Sequence, residues 1–386
     1  MAAAKSGARS GFVVILAVSM VSAIGGLVFN TMPILLGAAE EAFAMSPARL
    51  GSLSLMAGIG YLAGTLTGPL WVDRVNWKVA AFAIVAAVMA SFLLAAQLSG
   101  NGVFAGFVIF GFFCALAIAL AMRVLADMPD PERAYGTRLS VELVSIGVFL
   151  ILLPIVFMAS SGFSGAMFGL ACFAGLLGLG ALLFPKSSSS QAALKTKGYP
   201  SWAQAEPSWT VLGIFTLYLL ANVGLFFFLY VIAQKFEPSA AQNGLMFGVL
   251  KWLGGVAGAV GAIIGAMAGL KLPHIAAFGI LVLGVLGLTL APNFEVFMIS
   301  SWVWEFGFTL GCLYQTAAIV RYDQSNKLVV LVPMAFGISM IFGGKIAGQL
   351  LEGGSAFGLY GLVVICSLLP SLYILMSRHI TQPQET

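Results

Sequence analysis

Charged residues are scarce in this chain. Asp, Glu, Lys and Arg make up 8% of its 386 residues, whereas a soluble domain carries about 25%. Hydrophobic residues make up 60%, and the mean hydropathy is +1.03. A chain this poor in charge cannot cover a folded surface with side chains that water solvates, so its surrounding solvent must be lipid. The composition therefore excludes an ordinary soluble domain.

Histidine and cysteine are also rare, with two and four residues. The sequence contains no nucleotide-binding loop, no metal-binding cluster and no Ser/His/Asp set. We therefore expect a protein that is not an enzyme and that carries no metal and no cofactor. The net charge of +4 is small and predicts no nucleic-acid partner. All four cysteines fall within apolar runs, where we expect free thiols.

Twelve apolar runs predict twelve membrane-spanning helices, because each run is close to the ~20 residues that a helix needs to cross a bilayer. The runs cover 12–36, 48–71, 79–98, 102–125, 136–159, 163–184, 208–233, 241–268, 272–291, 295–320, 328–350 and 356–377. We therefore expect an all-α polytopic membrane protein. A stretch rich in Ser, Lys and Pro lies between the sixth and seventh runs. The predicted domains are an N-terminal six-helix bundle at 1–184, a cytoplasmic linker at 185–207 and a C-terminal six-helix bundle at 208–386.

The basic residues favour one orientation in the membrane. If both termini and the even-numbered loops are cytoplasmic, most of the 18 Lys and Arg residues lie at cytoplasmic helix ends, as the positive-inside rule requires. No Asn-X-Ser/Thr sequon occurs, which favours a bacterial source. We predict a multi-pass protein of the cytoplasmic (inner) membrane that has both termini in the cytoplasm and acts as a monomer in the lipid bilayer.

The two halves of the chain share a weak similarity. The first span reads AxxGLxF from Ala23, and the seventh span reads the same pattern from Ala221. Spans 3, 6, 9 and 12 carry no charged residue in their interiors, so charge collects on the other helices. Together these patterns predict two pseudo-symmetric bundles around a shared polar crevice.

Four ionisable side chains lie well inside the predicted spans, where each costs ~2.5–3.5 kcal/mol on insertion scales. They are Glu142, Lys251, Glu305 and Lys345. Such residues face protein or water, so each is a candidate for binding substrate or a proton. Structural roles are the alternatives. Lys251 and Glu305 would neutralise each other, Glu142 would pair with Arg138 at the i,i+4 spacing, and Lys345 would snorkel outward.

Neutral polar residues inside the spans are further candidates for binding substrate. They are Asn30 in span 1, Tyr218 and Asn222 in span 7, and Tyr314 and Gln315 in span 10. Such a side chain more often hydrogen-bonds a neighbouring helix than a ligand, so both roles stay open.

The loop after the second span reads GPLWVDRVNWK from Gly68 to Lys78. It resembles the cytoplasmic loop signature of the major facilitator superfamily, G-x-L-a-D-r-x-G-r-k. The pattern matches at Gly68, Leu70, Asp73, Arg74 and Lys78. Asn76 replaces the second glycine of the signature, and we interpret it as a residue that tolerates a positive φ.

The resemblance implies an MFS-like fold of 12 transmembrane helices and transport by alternating access. It also implies that Arg123 and Asp127, at the end of span 4, are partners of Asp73 in a cytoplasmic gate that biases a two-state equilibrium. A solvated turn is the alternative. The glycine-proline signature typical of antiporters is absent from span 5, which disfavours drug efflux.

These features predict a proton-coupled secondary transporter that imports a small organic solute. Glu142 and Glu305 are the acids well inside the spans, and a carboxylate in a low-dielectric medium can bind and release a proton. Lys251 and Lys345 would hold an anionic group such as the carboxylate of a metabolite, but two acids and two bases balance, so the charge of the substrate stays open. The alternative is proton-coupled efflux of amphipathic compounds or drugs, which the aromatic content and the glycine-rich helices permit. A small-molecule substrate and the proton are thus the expected partners.

Overall fold

A computed structural model of the chain describes residues 2–128, 131–186, 206–268, 271–322 and 332–376. Helices dominate these residues, and no strand occurs among them. Within the same residues, eleven segments are long and apolar enough to cross a membrane. The predicted all-α polytopic fold is therefore confirmed. Most of the predicted linker at 185–207 lies outside the described residues.

Thirteen α-helices make up the described part of the chain. They are α1 (Ala2–Asn30), α2 (Met32–Phe43), α3 (Pro47–Trp71), α4 (Trp77–Ala95), α5 (Gly102–Ala126), α6 (Pro131–Leu152), α7 (Ala159–Gly178), α8 (Glu206–Ala233), α9 (Ala240–Ala268), α10 (Lys271–Leu290), α11 (Phe294–Tyr322), α12 (Val332–Leu351) and α13 (Phe357–Met376).

The first span ends earlier than the sequence predicts. The apolar run continues to residue 36, but α1 ends at Asn30 and α2 begins at Met32. Pro33 lies in the first turn of α2, where its missing N–H leaves no hydrogen bond unmade. The chain therefore restarts as a short second helix within the last part of the predicted span.

One apolar segment, Ala134–Leu183, is 50 residues long. A helix of that length would extend about 75 Å, more than twice the ~30 Å hydrocarbon core of a bilayer. Its helical path is broken at Gly162, which has a φ of 50° and a ψ of −124°. The segment is thus two spans joined by a tight turn, as the separate runs at 136–159 and 163–184 predict. A π-helical turn at Leu153–Met158 contains Pro154 and precedes the break.

The helices form two compact units. The first contains Met1–Met45 and Leu53–Lys195, and the second contains Ser46–Ser52 and Thr196–Thr386. In the first unit, α1 packs against α5 and α6, and α4 packs against α5 and α7. In the second unit, α8 packs against α11, α12 and α13. The predicted domain boundaries stay a prediction, and the start of α3 at Ser46–Ser52 packs with the helices of the second unit.

Small residues set the distances between helices, as expected in lipid. A Cβ added at Gly64 of α3 would lie 2.5 Å from the carbonyl oxygen of Phe112 on α5. A Cβ at Gly111 of α5 would likewise overlap the backbone of Ala57 on α3. The backbones of these two helices therefore come close together at both glycines.

Candidate functional site

Glu142 of α6 lies in a buried polar cluster of the first unit. Arg138, one turn earlier, donates from its NH2 nitrogen to Glu142 Oε2 at 2.6 Å and from Nε to Ser22 Oγ at 2.8 Å. Asn30 of α1 donates through Nδ2 to Glu142 Oε1 at 3.2 Å. Both carboxylate oxygens therefore have a partner. The side chains of Arg138 and Glu142 are only 15% and 9% exposed, so this charge-assisted network is shielded from water.

Helix α1 reaches this carboxylate because of a glycine. A Cβ added at Gly26 would overlap the carboxylate of Glu142, so any other residue there would displace that carboxylate from its present position. Asn30 lies one turn further and also donates to the carbonyl oxygen of Gly26 at 2.9 Å. The structure thus brings together two predicted residues, Asn30 and Glu142. Sequence reasoning missed Ser22, because a serine in a membrane helix usually bonds its own backbone.

Lys251 of α9 and Glu305 of α11 form the second buried centre, which lies in the second unit. Lys251 Nζ lies 3.5 Å from Glu305 Oε1, and the two side chains are only 4% and 6% exposed. Thr309, one turn along α11, also hydrogen-bonds the carboxylate. The other oxygen, Oε2, is buried and has no hydrogen-bond partner among the described residues. This carboxylate is therefore only partly satisfied, unlike that of Glu142.

The ammonium of Lys251 has an aromatic partner as well. It lies 3.8 Å from the ring centroid of Phe226 on α8, well within the ~6 Å range of a cation–π interaction. Phe226 is 1% exposed, so the interaction takes place away from water. The sequence places Phe226 in a run of three phenylalanines and contains no signal that separates it from its neighbours.

The side chains of Tyr218 and Asn222 on α8 form hydrogen bonds with neighbouring helices. Tyr218 Oη donates to the carbonyl oxygen of Phe308 on α11 at 2.9 Å. Asn222 Nδ2 donates to Ser367 Oγ of α13 at 3.1 Å, and Asn222 Oδ1 accepts from Trp304 Nε1 of α11 at 3.0 Å. These groups tie α8 to α11 and α13. A substrate would have to displace existing hydrogen bonds to reach them.

Tyr314 and Gln315 of α11 are buried without visible partners. The hydroxyl of Tyr314 and both amide atoms of Gln315 have no hydrogen-bond partner within the described part of the chain. A buried polar group left unsatisfied costs about 1–3 kcal/mol, so such atoms mark places where water or a polar solute would bind. Gln315 lies ten residues beyond Glu305, about 15 Å along the helix axis.

Lys345 of α12 is held by the start of α3, within the second unit. Its ammonium donates to Ser52 Oγ at 2.8 Å and to the carbonyl oxygen of Ala48 at 3.3 Å. The N–H of Ala48 in turn donates to Glu352 Oε2 at 2.8 Å. These contacts give Lys345 a structural role in the described state.

The loop between α3 and α4 is organised around Arg123 of α5. Arg123 Nε donates to Asp73 Oδ1 at 2.7 Å, and its NH1 nitrogen donates to Asp127 Oδ1 at 2.9 Å. The guanidinium also lies 5.4 Å from the ring of Trp77. The structure therefore brings Asp73, Arg123 and Asp127 together within the first unit. Asp73 remains 61% exposed, so its ion pair with Arg123 is more solvated than the ion pair between Arg123 and Asp127.

The remaining residues of the loop signature lie nearby in different environments. Lys78 Nζ donates to the carbonyl oxygen of Leu182 at 2.6 Å, Arg74 is exposed, and Gly68 is buried near Ala119. The interpretation of Asn76 was wrong, because its φ is −70°. It is instead the N-cap of α4, where its side chain accepts hydrogen bonds from the N–H groups of Lys78 and Val79. These N–H groups have no partner within the helix itself.

No group of three or more His, Cys, Asp or Glu side chains that could hold a metal ion occurs within the described residues. Each of the two buried centres contains one ion pair, Arg138–Glu142 in the first unit and Lys251–Glu305 in the second.

A comparison with protein families matches residues 10–343 to the family model described as the Major Facilitator Superfamily. No curated protein matches the sequence. Among solved structures, a point variant of the nucleoside transporter NupG is similar, with 14% identity, a TM-score of 0.74, and coverage of 96% of this chain and 100% of that chain. The xylose transporter XylE from E. coli, in a partially occluded inward-open conformation, has 13% identity, a TM-score of 0.72, and coverage of 98% and 100%. A D-xylose-proton symporter has 13% identity, a TM-score of 0.63, and coverage of 95% and 97%.

Proposed function

The chain belongs to the major facilitator superfamily, and on this premise we propose that it imports a small organic solute by proton-coupled alternating access. It is a transporter and not an enzyme. The proposed location is the cytoplasmic (inner) membrane with both termini in the cytoplasm. The proposal of proton coupling rests on one observation. Within the described part of the chain, the buried carboxylate of Glu305 has a hydrogen-bond partner at only one of its two oxygens.

Glu305 is the proposed proton-binding group. Its Oε2 is buried without a hydrogen-bond partner among the described residues, and its salt bridge to Lys251 is long, at 3.5 Å. A buried charge that is poorly paired is costly, and binding a proton removes that charge. The ammonium of Lys251 would keep its contact with the Phe226 ring while Glu305 is neutral. A neutral Glu305 would no longer compensate the buried charge of Lys251, so the ring contact would help to hold the ammonium in place.

Glu142 is proposed to position the solute instead of carrying the proton. Both of its oxygens already accept hydrogen bonds, from Arg138 and from Asn30, so neither oxygen is left without a partner. The guanidinium of Arg138 and the ammonium of Lys251 each supply a shielded positive charge. Each cation is paired with a buried acid, and we propose that a solute carboxylate binds beside one of these pairs.

The similar structures supply further test solutes. Xylose and a nucleoside are the solutes named for them, and one is named as a proton symporter. At 13–14% identity these likenesses concern the fold, so the solutes enter the assay as comparison compounds. Proton-coupled efflux of amphipathic compounds is the competing outcome.

Uptake by proteoliposomes tests the proposal. The purified chain is reconstituted, an inward proton gradient is imposed, and radiolabelled carboxylates, xylose and nucleosides are supplied outside. We expect carboxylate uptake that a protonophore abolishes and that Glu305→Gln uncouples from the gradient. Glu295→Gln is the matched control, because Glu295 is exposed on the same helix. Full gradient dependence in Glu305→Gln would reject the role of Glu305, and accumulation of amphipathic compounds by inverted vesicles would favour efflux.

A further inference from the structure

An open groove of about 350 Å³ lies on the surface of the first unit, among α3, α4 and α5. Apart from one threonine, the side chains that line it are apolar. They are Thr67, Trp71, Ala80, Ala83, Ile84, Phe112 and Leu116. The hydroxyl of Thr67 already donates to the carbonyl oxygen of Gly64 at 2.7 Å. The groove therefore offers little to hold water and suits a hydrocarbon chain.

The groove lies close to one end of the helices that line it. Ala80 and Ile84 are three and seven residues after the start of α4 at Trp77, about 5–10 Å along the helix axis. Trp71 is in the last turn of α3, at the same end of the bundle. Leu66, Leu70 and Phe82 are exposed around it, so this face of the unit is turned to lipid.

Positive charge lies at the end of the groove. Arg74 is exposed, and its N–H donates to the carbonyl oxygen of Trp71 at 2.9 Å, which fixes it one turn beyond the groove wall. The neighbouring acid, Asp73, forms an ion pair with Arg123. Arg74 itself forms no ion pair with the described part of the chain. Its guanidinium is thus available to an anion at the membrane surface.

We propose that this groove is a binding site for an anionic phospholipid. One acyl chain fills the apolar groove, and the phosphate of the headgroup pairs with Arg74. The bilayer supplies this ligand at the predicted cytoplasmic leaflet, where anionic headgroups attract basic residues next to a membrane helix. A free phosphate would not use the apolar wall. A zwitterionic lipid carries the same phosphate, but its ammonium group cancels the net charge, so it would gain less from Arg74 than an anionic lipid. The proposal does not depend on the transport substrate.

Native mass spectrometry of the full chain tests this site. The protein is equilibrated with equal amounts of phosphatidylglycerol and phosphatidylcholine that have identical acyl chains, and the ratio of retained lipids is measured. We expect phosphatidylglycerol to be preferred and Arg74→Gln to reduce that preference about fivefold. Lys271→Gln removes a basic residue from the start of α10, in the other unit, and should leave the ratio unchanged.

A second variant tests the acyl-chain part of the site. Ala83→Trp should fill the groove and remove the retained lipid, whereas Leu283→Trp adds the same side chain at an exposed position of α10 and should not. If Ala83→Trp does not fold, as judged by thermal unfolding, Ala80→Leu takes its place. Equal retention of the two lipids by the unmodified chain, or an equal effect of Arg74→Gln and Lys271→Gln, would overturn the proposal. Displacement of phosphatidylglycerol by inorganic phosphate would show a headgroup site without the groove.

Discussion

Glu142 and Glu305 are both buried carboxylates, and the fold surrounds them differently. Glu142 accepts from a guanidinium and an amide, one at each oxygen. Glu305 has a distant ammonium at 3.5 Å and an oxygen without a described partner. The two acids therefore differ in how completely their oxygens are hydrogen-bonded, and we propose different tasks for them. This contrast underlies the choice of Glu305 for coupling.

Removing Lys251 should reveal how much Glu305 depends on it. We expect Lys251→Met to lower the free energy of unfolding by about 3–5 kcal/mol, because an uncompensated charge is left buried. The double variant Lys251→Met/Glu305→Gln should recover most of this loss, since no charge then remains. Equilibrium unfolding in mixed detergent measures both, with Lys235→Met at an exposed helix end as the control. If the double variant is as unstable as the single one, the pair is not what stabilises this site.

The ring of Phe226 should contribute through Lys251 and not only through its own burial. We expect a double-mutant cycle of Phe226→Leu and Lys251→Met to give a coupling energy of about 1–2 kcal/mol. The same cycle with Phe215→Leu, a fully buried ring on the same helix, should give a value near zero. The free energy of unfolding is again the measured quantity. Equal coupling in both cycles would mean that Phe226 acts as packing alone.

Local spacing made some of these residue contacts predictable. The pairing of Arg138 with Glu142 follows from their i,i+4 spacing, and the scarcity of buried charge singled out Lys251 and Glu305. The roles of Ser22 and Phe226 could not be predicted, because their contacts join distant parts of the chain and their residue types are common in membrane helices. Which predicted groups bind solute stays a proposal.

At the scale of helices, glycines decide where backbones meet. A Cβ added at Gly51, near the start of α3, would lie 2.5 Å from the carbonyl oxygen of Gly344 on α12. The same region carries the bonds from Lys345 to Ser52 and Ala48. The close backbone approach and the hydrogen bonds from the Lys345 ammonium therefore both involve the first turns of α3. Gly51 is needed here because a neighbouring backbone cannot move aside as a side chain can.

Gly51→Ala should consequently destabilise the protein although alanine favours helix. We expect a loss of about 1–3 kcal/mol from overpacking, together with weaker holding of Ser52 by Lys345. Gly213→Ala is the matched control, because nothing lies within 4 Å of a Cβ there, and it should be neutral or slightly stabilising. Thermal unfolding of the two variants side by side measures the difference. A Gly51→Ala protein as stable as Gly213→Ala would show that α3 and α12 can separate freely at this point.

Helix number was more predictable than helix ends. Apolar length alone placed the spans, because a bilayer requires nearly the same number of residues from each. The end of α1 at Asn30 could not be predicted from Pro33. A proline is tolerated in the first turn of a new helix as well as in a loop after a helix end. The break at Gly162 is a backbone conformation with φ of 50°, which the sequence permits but does not specify.

At the scale of the whole molecule, charge should set the orientation in the membrane. The loop between α3 and α4 carries Asp73, Arg74 and, just inside α4, Lys78, whereas the loop between α4 and α5 has no charged residue at 96–101. Basic residues near helix ends remain on the cytoplasmic side during insertion. The first loop is therefore expected inside and the second outside.

Single cysteines in these two loops test the orientation and one span together. In a background without the four native cysteines, Asn101→Cys should react with a membrane-impermeant maleimide in intact cells, and Val75→Cys only after permeabilisation. Because α4 alone separates the two positions, they must lie on opposite sides if it crosses the membrane. Labelling of both positions in intact cells would mean that α4 does not span. The reverse pattern would mean that the termini are outside, and the lipid site beside Arg74 would then belong to the outer leaflet.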